Sequence, residues 1–207
     1  MMQLLKVMYV LRLGFGPESI GALFAAGALS FSISSLPGAA LGGRWGPRRA
    51  LFLGGAINVF GLAMFPFTES VPMAWRSVWP VLVQLVSSCG WSLLMVNVVT
   101  LMCAVTSTEN RKGAYALKEA CGGLGMFLGT LVGGMLPAIF ARPLGLTLDH
   151  PAPYRYGLVV AVILALLGII PLLFVRSAPP APRIGRQARG RLDMAPLLAL
   201  APVIVAG

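Results

Sequence analysis

Apolar residues along this chain come in long unbroken runs. They show neither the alternation of a half-buried strand nor the i, i+3, i+4 stripe of a helix lying on a soluble core. Five runs, covering roughly 19–41, 50–68, 78–104, 113–140 and 156–175, each approach or exceed the ~20 residues that cross a bilayer as a helix. Only Gly, Pro, Ser and single polar residues interrupt them. Such breakers are tolerated in membrane helices, where neighbouring helices re-satisfy the backbone. The pattern predicts an all-α fold, a polytopic membrane helix bundle.

Composition sharpens this picture. Hydrophobic residues make up 57% of the chain and charged residues 11%, with mean hydropathy +0.86. A soluble domain carries about a quarter charged residues, so this chain lacks the polar surface to wrap a water-facing core. The net charge of +10 and pI near 10.6 would suggest nucleic acid in a soluble protein. Here the cations sit between apolar runs, with no lysine-rich or aromatic-interleaved face, and no nucleic-acid partner is expected. Cys89, Cys103 and Cys121 lie inside apolar runs without metal-ligand spacing, and His150 stands by itself in a loop. Buried thiols of this kind act as small apolar residues. No catalytic triad, phosphate-cradling loop or paired-carboxylate pattern occurs, so neither enzyme chemistry, metal nor cofactor is expected.

The connections alternate in charge. Residues 42–49 ("GGRWGPRR"), 106–112 and 176–192 hold ten cations: Arg44, Arg48, Arg49, Arg111, Lys112, Arg176, Arg183, Arg186, Arg189 and Arg191. The intervening loops, 69–77 and 141–155, hold Arg76, Arg142 and Arg155. Short cytoplasmic loops carry the Lys/Arg excess, which places the first set in the cytoplasm and the chain in the cell (inner or plasma) membrane, crossing it several times. On this reading 1–176 form a helical bundle whose first helix is incomplete, residues 1–13 being the exit end of a span. Residues 177–193 form a basic cytoplasmic linker. Residues 194–207, apolar but too short to span, begin a seventh helix.

The segment "AALGGRWGPRRAL" resembles the loop between the second and third helices of the major facilitator superfamily, secondary transporters with two six-helix halves. In that family the loop reads Gly, three residues, Asp-Arg, an aromatic, Gly, a basic pair and a downstream Leu. Arg44, Trp45, Gly46, Arg48, Arg49 and Leu51 stand at the matching places. Gly43 replaces the Asp and Ala39 the leading Gly. The resemblance implies a cytoplasmic gating loop, although retention of cations on the inner side explains the same arginines.

A second resemblance lies in "GMFLGTLVGGML". Gly125, Gly129, Gly133 and Gly134 match the glycines of the family's fifth helix, where antiporter branches carry a Gly-Pro pair; Thr130 replaces that Pro. Independently of the family, Gly122, Gly125, Gly129 and Gly133 form a stripe without side chains on one helix face. Such a stripe lets two backbones approach closely in lipid, either as a static contact or as one that slides. At ~100° per residue, Lys118 falls on the same stripe and Glu119 well round from it. The two are candidates for substrate binding or coupling, or else they snorkel to the surface and pair with Arg111 or Lys112. In the run 78–104, Gln84, Ser88 and Trp91 share a face with Met95 and are candidates for substrate contact. The family's basic residue and Gln ahead of the glycine in this helix are replaced by Val86 and Cys89 around Gly90.

The resemblance implies transmembrane transport of a small molecule of unknown class by alternating access. Family habit implies proton coupling, with efflux or antiport slightly favoured. The expected partners are the lipid bilayer, the solute and a second transporter half. The alternative is a non-transporting membrane scaffold or an inactive transporter fragment.

Overall fold

The computed structural model describes residues 2–174, with the side chains of Leu144, Leu173 and Phe174 excepted. The linker 177–193 and the segment 194–207 lie outside the described residues. Among those residues every regular element is helical: α1 (Met2–Arg12), α2 (Pro17–Trp45), α3 (Pro47–Met64), a 3-10 turn (Phe65–Ser70), α4 (Met73–Arg76), α5 (Trp79–Val105), α6 (Arg111–Leu144) and α7 (Ala152–Phe174). Five of them, α3 together with its 3-10 turn counting as one, are long and apolar enough to cross a membrane.

Local sequence sets the ends of these helices. Pro17 opens α2 and Pro47 opens α3, where a missing N–H costs nothing and the fixed φ suits a first turn. Gly145, in the left-handed region at φ +61°, closes α6 by donating its N–H to the carbonyls of Ala141 and Arg142, an ordinary glycine stop. The expected loop 42–49 contracts to one residue. Gly42–Trp45 continue α2, Pro47–Arg49 already belong to α3, and Gly46 at φ +86° is the whole turn. Only a glycine adopts that backbone without strain.

α5 is the axis of the bundle, packed along its length against α2 on one side and α3 on the other. α7 lies against α3, α6 and α1, whereas α6 barely touches α5. At one end of the bundle, α1 inserts Leu5, Tyr9 and Val10 among Leu23, Phe65, Val83, Leu136, Tyr154 and Leu158. Polar ties hold that end. Arg12 pairs with Asp149 at 2.7 Å and Arg155 with Glu69 at 3.0 Å. Tyr9 donates to the Pro66 carbonyl and to Glu69, and Arg76 donates to the Glu69 carbonyl. The two cation-poor loops, 69–77 and 141–155, thus meet at the same end. Pairs this open to solvent, the first exposed and the second half-buried, contribute on the order of 1 kcal/mol or less each; their main effect is to fix which ends meet.

Candidate functional site

Within the bundle, one polar group lies where α1, α2 and α5 meet. Lys6 is 2% exposed; its Nζ donates to Gln84 Oε1 at 2.8 Å and sits 5.4 Å from the centre of the Phe65 ring. The Gln84 amide passes the interaction on, Nε2 donating to Ser88 Oγ at 3.1 Å. Gly27 of α2 faces the pair: a Cβ there would lie 2.8 Å from Gln84 Nε2 and 3.0 Å from Ser88 Oγ. Two sequence candidates, Gln84 and Ser88, are therefore brought together. Trp91, about two turns further along the same face, is 48% exposed and lies outside the group.

Lys6 was not among the sequence candidates. Its signal was visible, a cation inside "MMQLLKVMYVLRL", but residues 1–13 read as the tail of a span, and no depth could be given to a position in it. An ionisable side chain buried among membrane helices is costly, which makes Lys6 a candidate functional position.

α5 also makes the closest backbone contact, with α3. A Cβ on Gly90 would meet the Asn58 nitrogen at 2.3 Å and the Gly54 carbonyl oxygen at 2.6 Å. On Gly61 it would meet the Ser87 nitrogen at 2.7 Å. Asn58 donates across this seam to the Ser87 carbonyl at 2.9 Å. On the other side of α5, Ser92 donates to the Phe31 carbonyl and Ser30 to the Leu85 carbonyl. Asn97 donates to the Gly38 carbonyl at 3.1 Å. Its amide oxygen would lie only 1.7 Å from a Cβ on Gly42, so Asn97 and the glycine ahead of the arginines form one contact.

The arginine segment flanks the Gly46 turn. Arg44 stands in the last turn of α2, where a cation favours the helix dipole. Arg48 and Arg49 stand in the first turn of α3, and Trp45 is exposed. The structure holds all five of Arg44, Trp45, Gly46, Arg48 and Arg49 at one corner, with the backbone bent by Gly46 instead of a longer loop.

The glycine stripe is placed differently from a helix contact inside this bundle. A Cβ on Gly122 or Gly125 meets nothing within 4 Å, and on Gly134 it would just reach Leu4. Gly129 is half-buried and Gly133 buried, near the end of α6 that packs on α1 and α7. Leu124, Phe127, Leu128 and Leu131 are exposed beside the stripe. Lys118 and Glu119 pair with each other and not with Arg111 or Lys112. Arg111 instead donates to the Cys103 carbonyl. A neighbouring pair with an exposed carboxylate contributes little to stability.

A cavity of about 380 Å³ opens elsewhere, between the end of α3 and α7, lined by Ala63, Phe67, Arg155, Tyr156, Val159 and Ile163. It is apolar and shares no residue with the Lys6 group. Among the described residues no cluster of His, Cys, Asp or Glu has the makings of a metal site.

Neither the curated proteins nor the solved structures compared with this chain give a match. The family model described as Major Facilitator Superfamily matches residues 2–206, which include both glycine-bearing helices and the arginine corner. An apolar bundle of spanning helices, a one-residue turn set between arginines and a match over nearly the whole length agree, and this multi-pass membrane chain belongs to the Major Facilitator Superfamily of transporters.

Proposed function

We propose that the chain is a secondary transporter that moves a small solute across the cell membrane by alternating access, coupled to protons and working as an exporter or antiporter. The observation that carries this reading is the contrast within the bundle. α5 is clamped on both sides, while α6, about 50 Å long, leaves Gly122 and Gly125 open. A bare glycine face on a long helix suits close approach of another helix in lipid. A second six-helix half, carried by the same polypeptide or by a second copy, is the partner that fits it. In alternating access such halves rock about a site near the bilayer midplane.

The arginine corner at Gly46 lies on the cytoplasmic side in this reading, since the cation-rich connections belong there. It then braces one of the two states. Gln84, Ser88 and Lys118–Glu119 are the solute-facing or coupling positions, with Trp91 at the open edge of the same face.

Reconstituting the chain into liposomes loaded with a pH-reporting dye tests this. An imposed solute gradient should move protons, and an imposed pH gradient should drive solute, with each flux abolished by a protonophore. Solute flux without any proton movement would remove the coupling. Absence of flux for every solute tried, in the presence of the second half, would favour a non-transporting scaffold.

A further inference from the structure

We infer that Lys6, Gln84 and Ser88 form an anion-recognition site, and that the transported solute carries a carboxylate or another oxyanion that pairs with Lys6. This rests on the transporter reading and names the class of solute. The charges around the site carry the inference. Five acidic residues lie among those described. Asp149 pairs with Arg12, Glu69 with Arg155 and Tyr9, and Glu119 with Lys118. Glu18 and Glu109 are exposed. None forms an ion pair with Lys6 among the described residues, although Lys6 is the most deeply buried cation there.

An ammonium has three N–H donors. Gln84 Oε1 takes one, and the Phe65 ring offers its negative face to the charge, a weaker interaction than a full counter-charge. A buried cation without a counter-charge is costly, and an oxyanion is the ligand that offsets it. The site is also built. Gln84 is turned so that its carbonyl faces Lys6, because its amide N–H donates to Ser88. Gly27 leaves the room that this arrangement needs. A cationic solute would be repelled by Lys6, and a neutral one would leave its charge as it is. In this conformation the Gln84 amide partners Lys6. Opening the face from the Trp91 side lets the solute's oxyanion take that place, with Ser88 Oγ as a further donor.

The test uses the full chain in detergent, with thermal unfolding read against sodium benzoate, inorganic phosphate and sulfate at ionic strength matched by chloride. Tetraphenylphosphonium serves as the cationic control. At least one oxyanion should raise the midpoint by several degrees, the Lys6→Met variant should lose that shift and Lys6→Arg should keep it. The Gln84→Glu variant guards against misfolding, because it supplies a carboxylate from within. It should raise the ligand-free midpoint and lose the response to added anion. A wild-type chain indifferent to all three anions, a shift unchanged in Lys6→Met, or a midpoint lowered by Gln84→Glu would each overturn the inference. Flux assays separate this from the reading beneath it. Tetraphenylphosphonium flux above that of protein-free liposomes and undiminished in Lys6→Met defeats the anionic class while leaving a transporter. An intact anion response without any flux defeats transport while leaving the site.

Discussion

Glycine does opposite things in two parts of this bundle. Along the α3–α5 seam, Gly54, Gly61 and Gly90 are where two backbones touch, and a single added carbon meets peptide atoms that cannot move aside. On α6, Gly122 and Gly125 look into open space. Composition does not distinguish the two regions; contact does. In lipid, apolar surface gains nothing from leaving water, so helices associate through close packing and interhelical hydrogen bonds. Glycines that have found a partner therefore hold the bundle together. Those without one, on the proposed function, are where another helix approaches.

The contrast can be broken first at the seam. Gly90→Leu should prevent a stable fold altogether, read as loss of the monodisperse peak in detergent. Gly90→Ala, with one carbon added against the Asn58 nitrogen and the Gly54 oxygen, should cost about 3 kcal/mol, the upper end for over-packing. A Gly90→Ala chain as stable as wild type would mean that α3 and α5 do not meet there.

The polar ties should matter less. Replacing Asn97 by Ala removes its donations to the Gly38 and Leu93 carbonyls and should cost roughly 1 kcal/mol, within the range measured for interhelical bonds in a membrane protein. Combined with Gly42→Ala, the loss should be less than additive, because the alanine Cβ presses on the Asn97 amide that the first change removes. Strict additivity would separate the two residues.

The smallest effect is expected on α6. Gly125→Ala adds its carbon to empty space, and alanine favours a helix over glycine by about 0.5–1 kcal/mol. Its unfolding midpoint should stay level or rise slightly. A clear fall would show that Gly125 is already packed.

The spans themselves were legible because a run of twenty apolar residues has few other uses. Their ends were read two to four residues short, at 19, 50 and 140, where Pro17, Pro47 and Gly145 set the actual boundaries. The extent of the arginine loop was not legible, since a glycine at positive φ turns a helix within one residue and leaves the residues on either side helical. The seam glycines were missed for a different reason. Gly54 and Gly61 lie seven residues apart on α3, and Gly90 is on α5; neither set forms a conspicuous repeat until the two helices are laid together. The dense glycine pattern of α6 is the conspicuous one, and yet Gly122 and Gly125 within it meet nothing. Gln84 and Ser88 were found from helical spacing. Lys6 was not, because its meaning depends on Gln84 reaching it across 78 residues of chain.

The central claim is that the α6 glycine face is a working contact and not part of what holds the bundle together. Gly125→Leu, assayed for unfolding midpoint and for solute flux on the same purified preparation, tests it most directly. The account predicts an unfolding midpoint within a couple of degrees of wild type, with flux lost. A chain that transports normally with leucine at that position, or one that unfolds before it can be assayed, would contradict it.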